Sequence, residues 1–274
     1  MNNISYTNDK KTITVTSECE IDLANEKHFE IPGKVFIGWK MENGTEIPAK
    51  AFLKSGDVLK AHYIDFEKSY FFVKEAQIKE GDAPSLRFII EKNKAFYDKL
   101  PNSNEFGALI LPTDKTWGRS MFLDTPIIAE WTWDEETRLD FTVKSSNGNT
   151  PLNIVCKNVF ENSENSLLYT VCVTNIDKKS YKTFYTVRGY IKYVDLNGIS
   201  RVFYSDYYQD SLYNTALSCK SENSTANEII KYCQNELKED YLAENYDNRT
   251  NLSGYEDTDD KNPNHAMYAL KNGI

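Results

Sequence analysis

Histidine is scarce in this chain of 274 residues. Only His28, His62 and His265 occur, and no two are spaced to share one face of a helix. HExxH is absent, as are the Cys/His spacings of structural zinc sites, so a zinc hydrolase is not expected and His62 reads as structural. No serine sits in a GxSxG elbow, and neither GxGxxG nor GxxxxGK[S/T] is found. The chain therefore lacks a recognisable nucleophile turn and any glycine loop that would cradle a phosphate. No cofactor and no metal are expected. Twelve glycines and eight prolines are scattered without a period, which excludes a solenoid.

Basic charge is also short. Thirty-two Lys and Arg face forty-one Asp and Glu, a formal charge of −9, and no basic stripe offsets it. Nucleic acid and anionic membrane surfaces are poor partners for such a chain. From Glu236 to the C-terminus nine acidic and four basic residues carry −5 of that total, so the body is only mildly acidic. No apolar run reaches the length of a membrane span. The opening MNNISYTNDKK has neither the basic nor the apolar region of a signal peptide. The expectation is a cytosolic protein, or an excised piece of an exported one. The five cysteines are odd in number and fit no CxxC pattern. They read as small buried hydrophobes, Cys156 and Cys172 on apolar strands, with a Cys219–Cys233 disulfide as the alternative in an oxidising compartment.

Aromatics and strand formers are abundant: eighteen Tyr and fourteen Phe in a chain that is 40% hydrophobic. The organising stretch is 183–208, TFYTVRGYIKYVDLNGISRVFYSDYY, a long β-hairpin with its corner at Asn197-Gly198. A two-residue type I′ turn there pairs Tyr193 with Val202 and Ile191 with Tyr204, and puts Lys192 with Phe203 and Val194 with Arg201 on the other face. Upstream, 12–24 alternates as a first strand. KVFIGWKMENGTEIP leads to a second hairpin signal at Asn43-Gly44, and FLKSGDVLKAHYID adds a strand after a Ser-Gly-Asp turn. Residues 12–66 thus form a small β unit.

Within that unit the order Pro32-Gly33, Val35-Phe36-Ile37-Gly38-Trp39, then Ser55-Gly56-Asp57-Val58-Leu59-Lys60-Ala61 resembles the internalin-type β-grasp repeat of Gram-positive surface proteins. Val35 stands where an aromatic is usual and Tyr63 where Trp is usual. The resemblance implies a spacer or adhesion module with Trp39 in its core. Further on, Ala76-Gln77-Ile78, Leu86-Arg87-Phe88, Glu105 to Pro112 and Arg188 to Tyr193 before Asn197-Gly198 are similar to a module of secreted clostridial and ruminococcal proteins, over roughly 70–235. That implies an exported, cell-envelope or polysaccharide-associated setting.

The rest of the chain fills in around these. Strands are expected at 85–90, 105–111 and 166–176, with a short helix near 91–99 stopped by Pro101, its stripe made by Ala95, Phe96 and Leu100. The long helix starts at Ser224, capped by Ser224 or Thr225, with Ala226, Ile229, Ile230, Cys233 and Leu237 facing inward. After Tyr246 the chain is acidic and rich in turn formers, a flexible tail or a surface extension. Asp260, Asn262 and Asn264 have calcium-loop spacing, but His265 replaces the tight-turn glycine and Pro263 intervenes.

The expected fold is mainly β: a small β-grasp-like unit over 1–66, an antiparallel β-sandwich over 67–245 with one short and one long peripheral helix, and a tail over 246–274. The expected function is that of a non-catalytic cell-surface accessory or adhesion protein, extracellular or wall-associated, that binds a surface polysaccharide, a glycan or a partner protein. Trp117, Tyr207 and Tyr208 are the candidate contact rings. Trp131 and Trp133, two apart on a strand, either plug the core or stack on a sugar. Asp124, Glu130, Asp134, Glu135 and Glu136 border them, and a carbohydrate-active enzyme using paired carboxylates is the alternative. A structural envelope or virion subunit is the third reading.

Overall fold

The structure, a computed structural model, describes residues 2–7, 10–81, 83–113, 121–123, 152–156, 159–219 and 223–237. All strand pairs among these residues are antiparallel. The N-terminal unit holds β1 (Asn2–Thr7), β2 (Lys10–Val15), β3 (Cys19–Asp22), β4 (Lys34–Met41), β5 (Lys50–Leu53) and β6 (Val58–Asp65). One sheet has the order β1-β2-β6-β4, and β3-β5 form a separate ribbon. Alternation drives the closure: Ile13 and Val15 on β2 and Leu59 and Ala61 on β6 meet Ile21 on β3 and Leu53 on β5, with Trp39 of β4 fully buried among them. The expected single strand over 12–24 is two strands in different sheets. Its break falls at Thr16, whose carbonyl accepts from Ser55 Oγ, beside Val15, whose carbonyl accepts from Gly56 N.

The sandwich packs β11-β12-β8-β7 against β10-β9-β13-β14. Its strands are β7 (Phe71–Lys79), β8 (Ser85–Asn93), β9 (Glu105–Pro112), β10 (Leu152–Cys156), β11 (Phe160–Ser163), β12 (Ser166–Val173), β13 (Tyr185–Val194) and β14 (Ser200–Asp210). Leu86, Phe88 and Ile90 from one sheet and Ala108, Ile110, Val187 and Ile191 from the other fill the space between. The short helix is a single turn, α1 (Lys94–Tyr97), because Asn93 ends β8 as an N-cap and accepts from Phe96 N. Phe96 and Leu100 are buried, whereas Ala95 is exposed. A seven-residue helix α2 (Leu212–Ser218), too short to register as a period, follows β14 and is capped by Ser211. The long helix is α3 (Ser224–Asn235). Its cap is Asn223, whose side chain accepts from Ala226 N, in place of the expected Ser224 or Thr225. Ala226, Ile229 and Cys233 face the core as the spacing predicts. All five cysteines are free thiols, Cys219 and Cys233 included.

The hairpin of β13 and β14 is present, but its register is one residue from that of a two-residue turn. Tyr193 pairs with Arg201 and Ile191 with Phe203. Asp195 N donates to Ile199 O and Gly198 N to Asp195 O, closing a three-residue loop in which only Gly198 has positive φ. Asp195 decides this: its Oδ1 accepts from both Asn197 N and Ile199 N, which favours the longer loop.

The hairpin tip is docked in the N-terminal unit. Leu196 N donates to Ile37 O at 2.9 Å and Tyr193 Oη to Phe36 O at 2.6 Å. The Asn197 amide accepts from Trp39 N at 2.7 Å and donates to Trp39 O at 2.8 Å and Ile47 O at 3.0 Å. Gly38, at φ +131, is the residue that lets the tip approach, since a Cβ there would lie 2.9 Å from Asn197 Oδ1. Around this contact Phe66 meets Phe203 edge to face at 4.7 Å, and Val35 joins the sandwich core.

Candidate functional site

Of the five rings singled out in the sequence, Trp117, Trp131 and Trp133 lie outside the described residues, as do the carboxylates from Asp124 to Glu136 and the Asp260–Asn264 spacing. Tyr207 and Tyr208 are neighbours on β14 and so point to opposite faces. Both are half-buried, where exposed rings were expected, because the sheet is covered on each side. Tyr208 turns inward, edge to face with Phe88 at 6.2 Å, and its hydroxyl lies 3.3 Å from Asp210 Oδ2.

Tyr207 belongs to a cluster on the outer face of β9, β13 and β14. A bulge in the hairpin, with Ser205 and Asp206 set against Gly189, brings Arg188 opposite Tyr207 on one side and Leu109 on the other. The guanidinium lies 4.5 Å from the ring centre of Tyr204, 4.6 Å from Tyr207 and 5.2 Å from Phe122. Its Nε donates to Ser205 O, and its Nη1 donates to Met121 O and to Tyr207 Oη. Burial lowers its pKa, opposed by Tyr207, Tyr204 and Asp206.

The tyrosine hydroxyls complete the arrangement. Tyr207 Oη accepts from Met121 N and Tyr204 Oη from Leu123 N, both at 3.1 Å. Side chains from β13 and β14 thus hold the backbone of 121–123 as a strap, with Met121 buried against Leu109, Leu111 and Tyr190. Arg188, Tyr204 and Phe122 were not picked out from sequence. The available signal was their alternation: Arg188, Tyr190 and Lys192 on one face, where a lone arginine reads as a solvent-facing residue.

No family model, curated protein or solved structure matches the chain.

A second buried cation lies at the far end of the sandwich core. Lys92 is on the inward face of β8 in line with Phe88 and Ile90, only 1% exposed. Its amine sits 3.5 Å from the ring centre of Tyr97 and 3.7 Å from that of Phe106. Burial lowers its pKa to about 8, against the pull of Asp98 and Cys156. The Cys156 thiol in turn is pushed up to about 11 by burial and by Cys172, so it is a poor nucleophile. Among the described residues no group of three or more His, Cys, Asp or Glu side chains is arranged to hold a metal ion. No described helix is long and apolar enough to cross a membrane.

Proposed function

We propose that the chain is a non-catalytic accessory or adhesion protein of a Gram-positive cell surface that binds a polysaccharide, a glycan or a partner protein through rings carried on the segment after β9. The observation that carries this reading is the strap at 121–123. An arginine and two tyrosine hydroxyls are committed to fixing a short piece of backbone on the outer face of the sheet, four residues after Trp117 in the chain. An anchored backbone lowers the entropy lost when a neighbouring ring engages a ligand. The docked joint between the two β units supports the spacer role that the resemblance of 12–66 implies, because the two units are bonded into one body. The cell-surface setting rests on the two resemblances.

The test is a polysaccharide pull-down and a glycan array with the intact chain. Binding should be lost on Trp117→Ala while the melting temperature is unchanged. Binding that survives this substitution, or reducing-sugar release that disappears on Glu130→Gln and Asp134→Asn, would overturn the proposal.

A further inference from the structure

The docked amide of Asn197 works only as an amide. Two of its three bonds across the joint need Nδ2 as a donor, to Trp39 O and Ile47 O. The next residue is glycine, whose missing side chain leaves its backbone nitrogen free to approach the preceding side-chain carbonyl carbon. We propose that Asn197-Gly198 is a latent deamidation site, silent while the tip is docked, that locks the joint open once it has opened.

The step balances without any co-reactant but water. Gly198 N gives up its proton and bonds to Asn197 Cγ, the Cγ–Nδ2 bond breaks, and ammonia leaves. The resulting succinimide takes up one water and opens to aspartate or isoaspartate. Docking blocks each part. Asn197 is 4% exposed, its amide is pinned by three bonds, and the Gly198 N–H is held by Asp195 O at 2.9 Å. The product cannot return. A carboxylate oxygen in place of Nδ2 faces the carbonyl oxygens of Trp39 and Ile47, buried lone pairs against lone pairs. Isoaspartate lengthens the backbone where a Cβ on Gly38 would already lie 3.0 Å from Leu196 N.

The molecule carries its own control. Asn43-Gly44 makes the same turn, with Gly44 N donating to Met41 O at 2.8 Å and φ +87 at Gly44 against +81 at Gly198. Asn43, however, is exposed, and its side chain makes one bond, accepting from Thr45 N.

The full chain is aged in mildly alkaline buffer at physiological temperature, and amide-to-acid conversion is followed by peptide mass spectrometry. Asn43 should convert. Asn197 should convert roughly tenfold or more slowly, since it reacts only through the open fraction of the joint. In Arg201→Ala, which removes a side chain lying over Phe36 and paired with Asp195 at the joint, the Asn197 rate should rise toward that of Asn43. In small-angle scattering, converted molecules in the aged parent protein should fall in a more extended population, and Asn197→Asp should reproduce it. Equal rates at Asn43 and Asn197 in the parent protein overturn the proposal. So does converted protein that keeps the docked dimensions, a result read on the aged parent even where Asn197→Asp does not fold.

Discussion

Lys92 shows how far a side chain can depart from its residue type. Its position on β8 is a core position, and the rings of Tyr97 and Phe106 lie against its amine: two negative ring faces in place of a carboxylate. A buried charge held this way is costly, so Lys92→Met, which keeps the length and the ring contacts, should be neutral or stabilising by about 1–2 kcal/mol in urea unfolding at neutral pH. The lysine also carries a pH signature. Its amine releases a proton near pH 8 in the fold but near 10.5 in the unfolded chain, so the unfolded state holds more protons between these values. Its contribution to stability is lost as pH falls from 10.5 through 8, and the difference between parent and Lys92→Met should change across that window only.

The outer-face tyrosines make an equally local prediction. Tyr207→Phe removes the acceptor of Met121 N, and Tyr204→Phe that of Leu123 N. Each should cost about 1 kcal/mol, and amide exchange should accelerate at Met121 in the first variant and at Leu123 in the second. A uniform change across both amides would contradict the strap.

At the scale of elements, the hairpin β13–β14 does two jobs. Its body supplies both faces of a sheet, and its tip enters another unit. His28 lies against the same contact. Its ring stacks on Phe36 at 4.0 Å, and the Arg201 guanidinium lies 4.7 Å from that same Phe36 ring. Burial first, then Arg201 on β14 and Lys11 on β2, lower its pKa to about 4, while Asp195 at the tip opposes them. Glu26, 4.0 Å from Lys11, is the other carboxylate of this group, and Tyr63 completes the ring cluster. Opening the joint takes away the Arg201 charge, which outweighs Asp195 in holding the imidazole neutral, so the open form binds a proton more readily and opening becomes easier as pH falls. Limited proteolysis between the units should therefore accelerate on acidification, and His28→Gln should flatten the response.

For the whole molecule, the two cores are distinct sets of residues joined at one place. Residues 13–61 supply the buried members of the first core, and the second runs from Phe71 to Cys233 with Val35 as the N-terminal unit's buried contribution. While the tip is docked the units should melt in one calorimetric transition. Asn197→Ala removes three hydrogen bonds, about 3 kcal/mol in all, and should split it into two. A single unchanged transition would show that the apolar contacts of Phe66 and Val35 hold the units together without the amide.

Sequence by itself determined the β-rich class, the presence of the long hairpin and the inward stripe of α3. Each follows from a local rule, strand alternation, a glycine corner or helical spacing, that acts on neighbours in the chain. Only the tertiary structure decided the one-residue register of the hairpin, because Asp195 bonds two backbone donors that alternation does not count. It alone decided that Arg188 is boxed by rings, that Lys92 lies inside, and that Asn197 is a fastener as well as a turn residue. Those outcomes depend on groups up to 158 residues apart meeting in space, a distance over which no periodic pattern carries information.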